Sequence, residues 1–166
     1  MQNNMTTKKR EDYFSWDEAF MHICKIIAQR SKDPSTQTGA CIVNDKNIIL
    51  SLGYNGFPRG CSDDCLPWDR EGDFCDTKYP YVVHAEENAV LNATASLEGA
   101  KLYCGLFPCN ECTKVIIQKG IKEVVYEDDK YHDNKEWQAS RRMLDLAGVK
   151  YRKYVTVNKL EFKKQT

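Results

Sequence analysis

The sequence predicts an α/β fold in which helices cover both faces of a mixed five-stranded sheet. Helical and strand-like segments alternate along the chain in the order αββαβαβαβ, which is typical of such sandwiches. The chain has 166 residues, which is the length of one domain, and 42% of them are hydrophobic. We therefore expect one three-layer α/β/α domain.

The first helix is predicted by a capping pattern and an apolar stripe. Ser15 and Glu18 are spaced as in a capping box, in which each side chain bonds the backbone N–H of the other residue. Apolar residues then recur at intervals of four, three and four, as expected for one face of a helix that runs to about Arg30. These apolar residues are Trp16, Phe20, Ile23 and Ile27.

Turns and glycines delimit the remaining elements. The segment 31–37 has the composition of a loop, and residues 44–46 form the turn of a predicted hairpin. Two later helices are predicted to end at Gly120 and Gly148, because glycine is favoured just after a helix. The predicted strands are 39–43, 47–54, 101–106, 122–127 and 151–155, and the predicted helices are 84–95, 110–119 and 136–147.

The segment 55–83 shows neither helical nor strand periodicity. It contains three Pro, three Gly and three Cys, and a connection of this length is uncommon in a compact domain unless it is functional or disordered. Its aromatic residues and cysteines argue against disorder, so we interpret it as an ordered insertion. The predicted organisation is a flexible N-terminal tail at 1–13, a domain at 14–155 that carries this insertion, and a C-terminal tail at 156–166.

Charge and hydropathy exclude several classes of partner. Lys and Arg together number 24, as do Asp and Glu, so the net charge is zero and the basic stripe of a polynucleotide-binding protein is missing. No apolar run approaches the ~20 residues that span a bilayer, and the polar start lacks the apolar middle of a secretory signal. We therefore expect a cytoplasmic protein that binds neither polynucleotides nor membranes.

Eight cysteines need an explanation in such a protein. In a reducing compartment, cysteines serve metal binding or are simply buried, and disulfides are rare. Cys24 and Cys41 fall on predicted core faces. Cys61, Cys65 and Cys75 lie in the insertion without a histidine nearby, so we expect free thiols there and not a second metal cluster.

Two short motifs carry the candidate chemistry. HAE at 84–86 and PCNEC at 108–112 match the H-x-E and P-C-x-x-C signature of zinc deaminases. Cys109 and Cys112 are three residues apart at the start of a predicted helix, so both sulfurs lie on one face. The positive end of the helix dipole favours the thiolate form that binds zinc.

His84 is the third candidate ligand. One neutral imidazole and two thiolates balance the charge of Zn²⁺ and leave a fourth position open for water, as in catalytic zinc sites. Glu86 reaches the same pocket if the helix begins next to His84, and it is then the candidate general acid and base. A closed structural zinc site with Cys104 or His132 as fourth ligand is an alternative at this point.

Beyond these motifs, long stretches resemble the deoxycytidylate (dCMP) deaminase family of the zinc-dependent cytidine deaminase-like superfamily. The resemblance extends from residue 14 to about 155, and GYNG at 53–56 with the P-x-G-C-S-D-D pattern at 58–64 is its most specific part. It implies the cytidine deaminase-like fold. The other matching segments are 31–43, 66–68, 76–89, 106–112, 116–126 and 129–133.

The resemblance implies hydrolysis of dCMP to dUMP and ammonia, which supplies dUMP for dTTP synthesis. Glu86 would move protons between the water, N3 of the base and the leaving ammonia. One phage branch of the family has an extra structural zinc, but Phe74, Lys78 and Val82 occupy the corresponding region here, so we expect one zinc per chain. The implied substrate-binding residues are Ser31, Lys32, Asn55, Ala85 through its backbone, and Tyr131.

The resemblance also implies regulation by dCTP as activator and dTTP as inhibitor, within a homohexamer. Arg59 in the insertion can pair with phosphates, and Asp63 and Asp64 can position a Mg²⁺ ion that bridges a triphosphate. Whether dCTP is also a substrate stays open. The implied effector-binding residues are Gly53, Tyr54, Asn55, Gly56 and Arg59.

Two other functions remain possible from the sequence. The first is deamination of another substrate, such as a nucleoside, a tRNA adenosine or a cytosine in a single strand, although zero net charge disfavours a polynucleotide. The second is a zinc-stabilised interaction module without catalysis. An occupied fourth zinc position would favour the second function.

Overall fold

The computed structural model describes residues 7–162 and confirms the predicted order of elements. Residues 1–6 and 163–166, which belong to the predicted tails, lie outside the described residues. Across 7–162, none of the helices is both long and apolar enough to cross a bilayer. The helices are α1 (Trp16–Ala28), α2 (Ala85–Asn92), α3 (Asn110–Gln118) and α4 (Lys135–Ala147), with a short 3₁₀ helix at Phe74–Asp76, and the strands are β1 (Gly39–Val43), β2 (Ile49–Tyr54), β3 (Lys101–Leu106), β4 (Glu123–Asp128) and β5 (Lys150–Lys153).

The strands form one mixed sheet in the order β2-β1-β3-β4-β5. Strand β1 runs antiparallel to both of its neighbours, whereas β3, β4 and β5 are parallel to one another. All residues of β1 are buried, because the strand lies inside the sheet and helices cover both of its faces. The predicted five-stranded mixed sheet is therefore confirmed.

Alternate residues along the strands pack into two hydrophobic clusters, one on each face of the sheet. On one face, Cys41 and Val43 pack with Phe20 of α1. On the other face, Ala40 and Ile42 pack with residues of α2, α3 and α4. The domain thus has the predicted three layers, with α1 alone on one side.

Strand β2 lies against α2 with no side chain between the two backbones at Gly53. A Cβ at this position would lie 2.2 Å from the carbonyl oxygen of Ala85 and 2.3 Å from the backbone nitrogen of Ala89. Both separations are shorter than any van der Waals contact allows, so the position requires glycine. Gly53 therefore brings the edge strand into backbone contact with the helix that begins with the HAE motif.

The start of the predicted strand at 47–54 was wrong, because β2 begins at Ile49. Asn47 has a left-handed backbone with φ of 60°, which is more tolerable for asparagine than for most residues. Oδ1 of Asn44 accepts hydrogen bonds from the backbone N–H groups of Lys46 and Ile48. The hairpin turn therefore includes two more residues than predicted.

The predicted helix at 84–95 was too long, because α2 covers Ala85–Asn92. The backbone of His84 is extended, with φ of −71° and ψ of 158°, and that of Ala93 is extended again, with φ of −67° and ψ of 129°. His84 is therefore the N-cap of α2.

The described part of the predicted C-terminal tail packs on the domain. Nε2 of His22 in α1 donates a hydrogen bond to the backbone oxygen of Asn158 at 3.0 Å. The hydroxyl of Thr156 donates to the carboxylate of Glu127. The packed part of the chain therefore continues past the predicted boundary at residue 155.

The insertion at 55–83 has defined internal contacts. The rings of Phe57 and Trp68 stack with centroids 4.0 Å apart, and Nε1 of Trp68 donates to the backbone oxygen of Asp63 at 3.0 Å. The two ends of the segment are joined by backbone hydrogen bonds of 3.1 and 2.9 Å between Gly56 and Val83. The segment is therefore anchored to the domain at both ends.

Candidate active site

The HAE motif lies where the chain enters α2. His84 is the N-cap with an extended backbone, and Glu86 belongs to the first helical turn. Inside a helix, residues two apart point to nearly opposite sides. The change of direction at His84 removes that separation, and both side chains line one cavity.

Cys109 and Cys112 lie at the start of α3, where Cys109 is the N-cap. Helix α4 fixes the turn that precedes them. Nε1 of Trp137 and Oγ of Ser140 each donate a 2.9 Å hydrogen bond to the backbone carbonyls of 107–108. These two bonds hold the backbone that leads into the two thiols, of which that of Cys109 lines the cavity.

The three candidate donor atoms lie at the separations of a tetrahedral zinc site. Sγ of Cys109 and Sγ of Cys112 are each 3.4 Å from Nδ1 of His84, and the three atoms lie within 4.8 Å of one another. Tetrahedral zinc, with Zn–N of about 2.1 Å and Zn–S of about 2.3 Å, requires an N···S separation of about 3.6 Å. The residues present therefore fit zinc, with Nδ1 as the histidine donor.

The fourth coordination position has no protein ligand in the part of the chain that the structure describes. The thiol of Cys104 is buried and donates to the backbone oxygen of Val125. His132 lies on the surface, 3.1 Å from a carboxylate oxygen of Asp133. The alternative of a closed structural site with either residue is therefore wrong, and the position is open to water.

Protons and zinc compete for the same donor atoms. A hydrogen bond from Cys112 lowers the pKa of Cys109 to about 4, so its thiolate forms readily. The hydrogen bond with Cys109 raises the pKa of His84 to about 9. The hydrogen bond with Cys109 also raises the pKa of Cys112, so zinc binding displaces a proton from Nδ1 of His84 and one from the thiol of Cys112.

Glu86 is the buried acid beside the ligands. Its side chain belongs to a residue that is only 7% exposed, and Oε2 lies 3.8 Å from Sγ of Cys112. Burial raises the pKa of Glu86, because the charged form loses its hydration. A buried carboxyl group with a raised pKa is suited to accept and return a proton.

A cavity of about 240 Å³ lies over these residues. Its lining comes from the starts of α2 and α3, the end of β3, the loop before β1, the insertion, the loop before α4, and α4 itself. Besides the zinc ligands His84 and Cys109 and the acid Glu86, the lining comprises Asp33, Thr36, Thr38, Asn55, Arg70, Lys78, Tyr79, Val82, Leu106, Phe107, Tyr131 and Trp137.

The structure separates the predicted substrate-binding residues into two groups. Asn55 and Tyr131 line the cavity, and Ala85 is fully buried at the start of α2. Ser31 and Lys32 do not belong to the lining. The ammonium group of Lys32 is exposed and pairs with a carboxylate of the insertion, which raises its pKa.

The side-chain amide of Asn55 uses most of its hydrogen-bonding capacity within the protein. Its Nδ2 donates to the backbone oxygen of Thr36 at 2.9 Å and to Oδ2 of Asp33 at 3.4 Å. Its Oδ1 accepts from the backbone N–H of Thr38 at 2.8 Å. One lone pair of Oδ1 remains, which suffices for one hydrogen bond from a ligand hydroxyl.

A buried ion pair in the cavity wall was not predicted. Nζ of Lys78 lies 2.5 Å from Oδ2 of Asp33, and the two side chains are 9% and 2% exposed. Oδ1 of Asp33 also accepts from the backbone N–H groups of Ser35 and Thr36. The one sequence signal for this arrangement was an aspartate before proline in the loop 31–37, which favours such a turn.

The predicted effector-binding residues lie together between β2 and the insertion. Nη2 of Arg59 donates to Oδ1 of Asn92 near the end of α2 at 2.9 Å, and the remaining guanidinium donors form no hydrogen bond within residues 7–162. Gly53 touches α2, as described above. The whole predicted set, Gly53, Tyr54, Asn55, Gly56 and Arg59, therefore lies along the contact between the edge strand, the insertion and α2.

The cysteines outside the motif form no metal cluster among residues 7–162. Cys61, Cys65 and Cys75 are exposed free thiols. Cys24 and Cys41 are buried in the core, and burial raises the pKa of Cys41 to about 12. These core thiols are therefore packing groups without redox or metal chemistry.

Comparisons with known proteins agree with this geometry. Residues 14–128 match the family model for the cytidine and deoxycytidylate deaminase zinc-binding region. The chain is 56% identical to the deoxycytidylate deaminase of Mus musculus over 92% of its own length and 86% of that protein. It is 54% identical to the deoxycytidylate deaminase of Homo sapiens over 92% and 87% of the two chains.

A solved structure extends the comparison to three dimensions. The dCMP deaminase of the cyanophage S-TIM5, crystallised in complex with dCMP and dUMP, superimposes with a TM-score of 0.68 at 31% identity. The match covers 82% of this chain and 95% of the phage chain.

The fold and the site together define a zinc-dependent deaminase, with three protein ligands, an open fourth position and a buried glutamate beside one cavity. The extent of the matches settles the narrower assignment. The chain belongs to the cytidine and deoxycytidylate deaminase family, as its resemblance to that family predicted.

Proposed function

We propose that this protein hydrolyses dCMP to dUMP and ammonia. The observation that carries the reaction is the cluster of the three zinc ligands with the buried Glu86 beside a cavity that His84, Cys109 and Glu86 line. The substrate is supported by the relatives named deoxycytidylate deaminase at 56% and 54% identity. It is also supported by the phage enzyme solved with dCMP and dUMP.

The residues of the cavity divide the chemistry between them. When held by His84, Cys109 and Cys112, zinc lowers the pKa of a coordinated water to roughly 7 and so supplies the nucleophile at neutral pH. The carboxylate of Glu86 would accept a proton from the attacking water and donate it to N3 of cytosine as C4 is attacked. It would then take the proton of the new C4 hydroxyl and pass it to the amino group, which leaves as ammonia. The backbone around Ala85 holds the base.

The alternatives of the sequence analysis are less well supported. A non-catalytic module would need a closed zinc site, because structural zinc usually has four protein ligands. The described residues supply three ligands and place a buried acid beside them. Deamination of another substrate is tested by the selectivity experiment below.

We expect the enzyme to prefer dCMP over deoxycytidine by at least ~10²-fold in kcat/KM, about 2.7 kcal/mol of transition-state binding. A site built to bind the phosphate leaves its polar groups without a partner when the nucleoside binds. Ammonia release, measured side by side for deoxycytidine, dCMP, dCTP and CMP, gives kcat/KM for each of the four substrates. Equal values for dCMP and deoxycytidine would contradict a nucleotide substrate.

We also propose that the insertion binds dCTP with Mg²⁺ as an activator and dTTP as an inhibitor. This proposal is supported by the resemblance at 53–64 and by the free donors of Arg59. The carboxylate of Asp63 pairs with Lys32, whereas Asp64 is exposed. We therefore regard Asp64 as the better candidate for the Mg²⁺ ion.

Regulation predicts a change in the shape of the saturation curve. Saturation with dCMP should be sigmoidal alone, hyperbolic with dCTP and Mg²⁺, and shifted to higher dCMP concentration with dTTP, because each effector binds one state better than the other. Initial rates over a range of dCMP concentrations measure this directly. Hyperbolic curves that neither nucleotide changes would exclude the proposed regulation.

The assembly and the location remain part of the proposal. A homohexamer is supported by the resemblance to the family, and light scattering of the purified protein tests it. A cytoplasmic location is supported by the eight free cysteines, two of which must stay reduced to bind zinc. Localisation of a tagged full-length chain by microscopy tests that part.

A further inference from the structure

A substrate monophosphate carries close to two negative charges at neutral pH and needs a cation at its binding position. Two basic side chains besides that of the zinc ligand His84 line the cavity, Arg70 and Lys78. The phosphate contact of the proposed reaction must use one of them or a residue outside the cavity. The surroundings of Arg70 and Lys78 show which of the two side chains can bind the phosphate.

The charge of Lys78 is already used within the protein. Its ammonium lies 2.5 Å from Oδ2 of Asp33, and the pair is almost fully buried. A carboxylate this close cancels the positive field that a phosphate would experience, and breaking a buried pair is costly. Lys78 therefore neutralises Asp33, which would otherwise repel the substrate from the same wall.

Lys32, the cation predicted from the sequence, lies in a different place. It is not part of the cavity lining, and its ammonium pairs with Asp63 of the insertion. Its contact joins the loop before β1 to the insertion on the outer surface. Lys32 is thus engaged away from the cavity.

Arg70 has its charge available. It lines the cavity from the insertion, is exposed, and makes no ion pair with any of the residues 7–162. Its Nε donates to the hydroxyl of Tyr79 at 3.4 Å. A guanidinium has five N–H donors in a planar fork, so four remain for the paired oxygens of a phosphate.

We propose that Arg70 is the residue that binds the 5′-phosphate and sets the preference for a monophosphate over a nucleoside. The hydroxyl of Tyr79 accepts the hydrogen bond from Nε, and the two terminal nitrogens form no hydrogen bond or ion pair with residues 7–162. The insertion thereby contributes directly to the substrate site. This assignment rests on the proposed dCMP activity.

The test compares two substrates that differ by the phosphate alone. In Arg70→Gln, the ratio of kcat/KM for dCMP to that for deoxycytidine should fall by ten- to a hundredfold, about the loss of a charge-assisted bidentate contact. Arg70→Lys should recover part of the ratio, because it restores the charge without the fork. Inhibition by the product dUMP should weaken in Arg70→Gln by a similar factor.

The matched control is Arg142→Gln, which removes an exposed arginine of α4 outside the cavity and should keep the wild-type ratio. Lys32→Gln tests the competing assignment and should also keep it. An unchanged ratio in Arg70→Gln, or a collapse of the ratio in Lys32→Gln, would overturn the inference alone. A wild-type enzyme without any preference for dCMP would overturn the proposed substrate and the inference with it.

Discussion

The Glu86→Gln variant should lose turnover by ~10²–10⁴-fold while it keeps one zinc per chain. Glutamine preserves the shape and the hydrogen-bonding reach of the side chain but can neither accept nor return the proton. Glu86 is buried beside the ligands without being one of them, so the metal should stay. Single-turnover rates with dCMP and elemental analysis of the same preparation measure both quantities.

Glu87→Gln is the matched control, because Glu87 is the next residue of α2 and does not line the cavity. It should keep wild-type turnover within a factor of a few. Near-normal turnover in Glu86→Gln would refute the proton transfer assigned to Glu86. Loss of zinc in that variant would instead make Glu86 a ligand.

Removal of one thiolate should abolish both zinc binding and activity. In Cys112→Ser, the neutral hydroxyl replaces an anionic sulfur that lies 3.4 Å from Nδ1 of His84, and a two-ligand site holds zinc far more weakly. We expect the zinc content to drop from one per chain to a small fraction, and deamination to drop to background. Inductively coupled plasma analysis measures the zinc content, and an ammonia assay measures the deamination activity.

The control for this prediction is Cys61→Ser, which replaces an exposed free thiol of the insertion. This variant should retain one zinc and full activity. A wild-type ratio of two zincs per chain, or zinc loss in Cys61→Ser, would show that the insertion cysteines form a second site. Full activity in Cys112→Ser would contradict the metal assignment.

The zinc site could be predicted because its information is local in the sequence. The spacing of Cys109 and Cys112 sets their distance on one helix turn, and each motif begins a helix. The residue types restrict the chemistry further, since two thiolates and an imidazole suit few metals other than zinc. The layers of the fold could also be predicted, because the helix and strand patterns are local in the sequence too.

The substrate side of the cavity depends on long-range contacts and was predicted less well. Asp33 and Lys78 are 45 residues apart in the chain, and neither carries a motif that names its partner. Lys32 is adjacent to Asp33 in sequence, yet its side chain pairs on the outer surface while Asp33 faces the cavity. A one-residue difference in an irregular loop decides between the two directions, and no periodicity reports it.

The contribution of Arg70 was hidden for a related reason. It lies in the middle of an insertion whose path depends on contacts such as the stacking of Phe57 on Trp68. Arg70 can therefore be assigned to the cavity lining only when the path of the insertion is known. The lack of helical or strand periodicity located the insertion, and the resemblance assigned Asn55 to the substrate and several residues to effectors but gave no role to Arg70.

The glycine contact between β2 and α2 makes these two elements a single mechanical unit. Where side chains separate a strand from a helix, rotamer changes absorb small displacements, but at Gly53 the two backbones touch directly. A shift of the residues 53–56 must therefore push α2 along with it. Because His84 is the N-cap of that helix and Glu86 lies in its first turn, such a displacement would also move these two side chains relative to Cys109 and Cys112 of α3.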